Sequence, residues 1–177
     1  MTLKERLRRR LCGLWWRVRG EPLSSKFTIP ASGLKPEHLA VVLPPEFHDF
    51  DVAQHVLEPL MEHLNPYQTT VLVRENFRTW LSPDLGARIV TFDVAQKQWL
   101  GFPKEPVYRK ARNIEADVVV DLTPAFDPFT AALAAATRAP LRISLDTEQS
   151  NDFYNFFITH DEGKSLAERY EILLRYV

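Results

Sequence analysis

The sequence predicts a three-layer α/β domain built on a mostly parallel sheet of about six strands, preceded by a basic amphipathic helix. Three observations carry that expectation. From residue 37 onward, short apolar runs alternate with amphipathic segments, the pattern of a parallel sheet covered by helices. The 177 residues, 45% hydrophobic and 25% charged, sustain one core of ordinary size and are short for two. Residues 1–20 have a different character, apolar residues at helical spacing among arginines, and a Gly/Pro/Ser-rich stretch separates them from the rest. The expected organisation is a helix over 1–20, a linker over 21–36 and an α/β domain over 37–177.

Taken in order, HLAVVL (38–43) is the first buried strand. Residues 51–64 place Val52, Val56, Leu57, Leu60, Met61 and Leu64 on one helical face, with a kink expected at Pro59. TTVLVR (69–74) is a second strand and RIVTF (88–92) a third, with a short helix around 77–81 between them. A further short helix is expected within 104–113. DVVVDL (117–122) is the clearest strand of all. The alanine-rich stretch 126–137 is a closely packed helix, with Asp127 or Thr123 as caps and Pro128 suited to the first turn. LRISL (141–145) and the aromatic FYNFFI (153–158) are the last strands. Residues 165–176 close the domain as a helix with Leu166, Tyr170, Leu173 and Leu174 inward.

The overall formal charge is −1, which argues against a wholesale nucleic-acid coat. That average hides an asymmetry. Residues 1–20 carry seven basic residues against the single Glu5, net +6, so the remainder sums to −7. Within this segment Leu3, Leu7, Leu11, Leu14, Trp15 and Val18 form an apolar stripe with Trp15 and Trp16 at its edge, and Arg8, Arg9 and Arg10 lie beside it. Such a helix suits an anionic membrane surface, where apolar side chains enter the headgroup boundary and arginines meet phosphate. It equally suits packing on its own domain or on a protein partner; nucleic acid is the least favoured of the three. Arg8, Arg9, Arg10, Trp15 and Trp16 are therefore the candidate membrane or partner contacts. Cys12, the single cysteine, forms no internal disulfide and no thiolate metal site, and no specific motif supports its acylation. No apolar run of membrane-spanning length occurs and a signal peptide fits poorly, so a cytoplasmic location, peripheral to the inner membrane face, is expected.

Several chemistries lose their usual support. There is no G-x-G-x-x-G, no Walker A, no G-x-S-x-G and no H-E-x-x-H, and none of the six glycines follows the first strand. No cofactor and no metal are expected. The richest polar cluster is Glu46, His48, Asp49, Asp51 and His55, after the first strand and at the start of the first helix, where an open sheet places its ligand crevice. Carboxylates beside imidazoles supply lone pairs for general-base work, although Asp51 is also an ordinary N-cap and His55 an ordinary surface residue. Asp121 and Thr123, after the strongest strand, lie on the same rim; they orient a hydroxylated ligand, or they close the strand by local hydrogen bonds. Arg142 with Asp146, Glu148 and Asp152 reads as a solvated rim.

The run ADVVVDLTPAFDPFTAALAAATRAPLRISL (116–145) resembles a stretch of heptosyltransferase-type GT-B glycosyltransferases, in which a strand ending DLVIDL precedes a helix and a strand beginning AP-R-I-G. Asp51-Val52-Ala53 opening the first helix, TTVLVR, RIVTFD and ERYEILLRYV (168–177) are similar in order and spacing to the N-terminal, acceptor-side domain of that family. The chain also resembles small uncharacterised bacterial proteins that pair a basic N-terminal helix with one such domain. The resemblance implies a Rossmann-like fold, and it makes Asp51 the match of an Asp that activates the acceptor hydroxyl. Phe50 stands where the family has Gly, and Pro44 and Pro45 replace basic and small residues. The family's second domain, which binds the nucleotide sugar, would begin where this sequence stops. Two readings follow: a non-catalytic glycosyltransferase-like module for a membrane surface or protein partner, and the acceptor-binding subunit of a split glycosyltransferase with its donor domain on another chain.

Overall fold

The computed structural model describes residues 11–14, 16, 36–63, 68–145, 152–158, 163–174 and 176. The expected linker over 21–36 lies almost wholly outside these residues. Six strands form one sheet, β1 (Leu39–Val42), β2 (Thr69–Arg74), β3 (Arg88–Phe92), β4 (Val118–Asp121), β5 (Leu141–Ser144) and β6 (Phe156–Phe157), in the order β3-β2-β1-β4-β5-β6. Every pairing is parallel. The sequence order reverses at β1, the place where an open α/β sheet splits its connections to the two faces.

Alternation along the strands sorts the core into two layers. Leu39, Val41, Val71, Val73, Val118 and Val120 pack under α1 (Phe47–His63) and α4 (Leu166–Leu174). Ala40, Val42, Leu72 and Val119 face α2 (Glu105–Arg112), α3 (Pro128–Ala136), and Cys12 and Trp16 from the N-terminal helical residues 11–14 and 16. Because β1 and β4 are buried on both faces, they read as unbroken apolar runs rather than alternating ones.

Local signals fix the helix ends. Asp127 caps α3, accepting hydrogen bonds from the N–H groups of Phe129 at 2.8 Å and Thr130 at 3.1 Å, with Pro128 in the first turn. Thr123 does not cap it. Ser165 and Glu168 form a reciprocal capping box on α4: Ser165 N–H donates to Glu168 Oε2 at 2.7 Å, and Glu168 N–H donates to Ser165 Oγ at 3.3 Å. These bonds lower the Glu168 pKa.

Three expectations need correction. α1 begins at Phe47, four residues before Asp51, because Glu46 O already accepts from Phe50 N–H; Asp51 is inside the helix and is not its cap. The segment between β2 and β3 is a pair of 3-10 turns, 75–80 and 83–85, instead of one α-helix. The aromatic run 153–158 pairs with β5 only at Phe156 and Phe157, since Phe153 and Tyr154 are turned into the core.

Candidate functional site

The cluster expected at the mouth of β1 is divided by the helix that carries it. His48, Asp51 and His55 are exposed and share one outer face of α1 at helical spacing, in line with the exposed Glu58. The Asp51 carboxylate accepts from Gln54 Nε2 at 2.9 Å. Asp49, half-buried, lies instead toward α4, close enough to Tyr170 for its charge to raise the Tyr170 pKa. Phe50, where the resemblance expects glycine, is fully buried and stacks on Phe77 with ring centroids 4.6 Å apart. That ring anchors the start of α1 to the 3-10 turn after β2.

The rim of β4 is organised around a buried acid. Asp121 is 1% exposed; its Oδ1 accepts from Thr123 N–H at 2.9 Å and its Oδ2 accepts the Tyr154 hydroxyl. Thr123 Oγ1 in turn bonds Thr130 Oγ1 at 3.1 Å. Burial pushes the Asp121 pKa up to about 6, against the opposing pull of the Thr123 and Tyr154 hydrogen bonds. Tyr170, also raised chiefly by burial, donates to Leu122 O at 2.5 Å beside the same strand end. The structure therefore brings Asp121 and Thr123 together with Tyr154, Thr130 and Tyr170, with Asp49 nearby, and leaves His48, Asp51 and His55 on a separate solvent face. Tyr154 carries no sequence signal for this role, because its partner is 33 positions away.

An open groove of about 290 Å³ runs between α1 and the two 3-10 turns, lined by Gln54, His55, Glu58, Trp80 and Ser82 with Leu57, Leu81 and Leu85 below. Phe47, 49% exposed, meets Trp80 edge-on at 5.5 Å at its upper end. Arg142, expected in a solvated rim, is buried, and its Nε donates to Ala139 O at 3.1 Å; Asp146 and Glu148 lie outside the described residues. Among the described residues no group of three His, Cys, Asp or Glu side chains is placed to hold a metal ion.

The described N-terminal helical residues dock by an unexpected face. Trp16 is 3% exposed, packed against Phe153 (4.9 Å), Tyr108 (6.3 Å) and Phe102 (6.4 Å), so its indole is a core residue and not a membrane contact. Cys12 is fully buried with its thiol toward Leu100 O at 3.7 Å, which removes it as an acylation site. Gly13 lies against Asp152: a Cβ there would sit 2.5 Å from Asp152 Oδ2, so only glycine permits this approach without displacing the carboxylate. Leu11 and Leu14 are 41% and 58% exposed. At 100° per residue the mean direction of this pair lies about 150° around the axis from that of Cys12 and Trp16. The leucine stripe thus faces away from the domain wherever it is described. Arg8, Arg9, Arg10 and Trp15 lie outside the described residues. Among those described, no helix is long and apolar enough to cross a membrane.

No family model matches the chain, and no curated protein matches it. Solved structures do. A glycosyl transferase of family 9 from Veillonella parvula superposes with a TM-score of 0.60 at 15% identity over 78% of this chain and 41% of its own. The E. coli ADP-heptose lps heptosyltransferase II gives 0.59 at 16% identity, covering 77% and 40%. E. coli heptosyltransferase WaaC, solved with ADP, gives 0.54 at 14% identity, covering 77% and 45%. The six-stranded parallel sheet with its helices matches the Rossmann-like domain of these structures in fold. The chain spans about two-fifths of the length of these structures.

Proposed function

We propose that this chain is a glycosyltransferase-like domain working as a non-catalytic docking module at an anionic membrane surface. The observation that carries the reading is the orientation of the N-terminal helical residues. Cys12 and Trp16 bind the domain while Leu11 and Leu14, in register with Leu3, Leu7 and Val18 in the sequence, are left uncovered beside a segment of net +6. Apolar burial and arginine–phosphate attraction add on such a helix, each basic residue contributing on the order of 1 kcal/mol near the surface. The non-catalytic part is supported by the rim: Asp121, the acid with a raised pKa, is buried and held by Tyr154 and Thr123.

Co-sedimentation of the full chain with phosphatidylglycerol vesicles tests the reading against R8E/R9E/R10E. Charge reversal should abolish binding, and equal binding by both proteins would sink the proposal. Deletion of residues 1–20 is the wrong control, because it removes Trp16 and Cys12 from the core.

A second reading is favoured by one observation. The groove beside α1 joins Trp80 to Gln54, which itself holds Asp51, so an aromatic wall and a carboxylate share one edge. That arrangement suits an acceptor-binding subunit whose donor domain is on another chain, with Asp51 as base. Full transferase activity of such a reconstituted complex carrying Asp51→Asn would eliminate it.

A further inference from the structure

The exposed leucines do not stand alone. Cys12 is held by the carbonyl of Leu100, and Leu100 occupies the tip of a tight hairpin spanning residues 96–104. Gln98 O accepts from Gly101 N–H at 2.9 Å, Gln98 N–H donates to Phe102 O at 2.7 Å, and Lys97 bridges Pro103 in antiparallel fashion. Gly101, at φ 96°, supplies the positive dihedral that closes such a three-residue turn. Gln98 Nε2 adds a further bond to Pro103 O at 3.0 Å. The turn divides its two apolar residues: Leu100 is 6% exposed and contacts the helix, whereas Trp99 is 85% exposed.

The charge of this stretch is also predominantly basic. Residues 97–112 contain Lys97, Lys104, Arg109, Lys110 and Arg112 against the single Glu105, net +4, and all five basic residues are exposed. Tyr108 of the same stretch touches Trp16, so the fold places this stretch beside the described N-terminal helical residues. In the sequence, residues 1–20 and 97–112 together carry +10, leaving −11 over the rest of a chain of net −1.

We propose that the Trp99 hairpin is a second membrane-contact element, entering the same anionic lipid surface as the helix bearing Leu11 and Leu14. This rests on the membrane-docking reading above and extends it to residues 97–112. An indole with an apolar body and one N–H donor partitions to the headgroup boundary, and the hydrogen-bonded turn presents it with little ordering cost. Lys97 and Lys104 flank it as phosphate contacts, and the α2 basic residues add long-range attraction. The helix alone leaves the domain's orientation undetermined; two anchors joined through Cys12 and Leu100 fix it.

The experiment compares the full chain with Trp99→Ser and with K97E/K104E on vesicles containing phosphatidylglycerol and on pure phosphatidylcholine vesicles. Trp99 has little surface to lose from the fold, so thermal melting of the Ser variant should match wild type. The expected result is binding to the anionic vesicles alone, weakened about fivefold or more by Trp99→Ser and about tenfold or more by K97E/K104E. Wild-type binding with both variants undiminished overturns the hairpin contact and leaves the helix reading standing. Failure of the wild-type chain to bind anionic vesicles overturns both.

Discussion

The Tyr154 hydroxyl donates to Oδ2 of Asp121, joining the segment before β6 to a buried acid at the end of β4. Asp121 also pairs in register with Val42, the last residue of β1. The bond therefore lies at the centre of the sheet, where the chain order reverses.

Its titration predicts a pH dependence of stability. The native Asp121 pKa, about 6, is above the ordinary 3.8, so between those values the folded state binds more protons than the unfolded state. This group's contribution therefore favours the fold at low pH and is lost as pH rises through about 6. The change amounts to roughly 1 kcal/mol between pH 7 and 5, and to at most about 3 kcal/mol in full. Urea unfolding at the two pH values should show this increment in wild type and not in Asp121→Asn.

Trp16 and Leu14 should separate cleanly under mutation. Trp16→Ala empties an aromatic nest and should cost about 3–5 kcal/mol, whereas Leu14→Ser should stay within about 0.5 kcal/mol. Denaturant midpoints decide the matter. A large loss for Leu14→Ser would mean that the stripe is covered by the chain itself.

Cys12 offers a simple reporter, being the only cysteine and fully buried. Its thiol should stay unreactive toward a bulky aromatic disulfide reagent in native buffer and react with one equivalent in denaturant. Fast native labelling would show that the helix detaches from the domain. The same measurement with vesicles present asks whether membrane contact opens that interface.

Asp127 holds two backbone N–H groups at the start of α3. Asp127→Ala should cost about 1 kcal/mol, within the 0.5–2 kcal/mol usual for such caps, and Asp127→Ser should recover most of it. Thermal unfolding of the three proteins is sufficient to see the order.

The sequence alone determined the α/β class, five of the six strands nearly to the residue, a cap for the alanine-rich helix narrowed to Asp127 or Thr123, and the charge asymmetry, because each is written in local periodicity or in side chains that bond their own backbone neighbours. Val118–Val120 could only be a strand buried on both faces. Tertiary structure decided what touches what. Periodicity gives a helix its apolar stripe but not the face that finds a partner; between residues 11 and 16 the domain took Cys12 and Trp16 because a socket formed by Phe102, Tyr108 and Phe153 fits an indole. Asp49 and Asp51, two positions apart, were separated by the helical turn, one toward Tyr170 and the other to solvent. Trp99 and Leu14, 85 positions apart in the chain, are associated through the Cys12–Leu100 and Trp16–Phe102 contacts, and no local rule encodes contacts of that span.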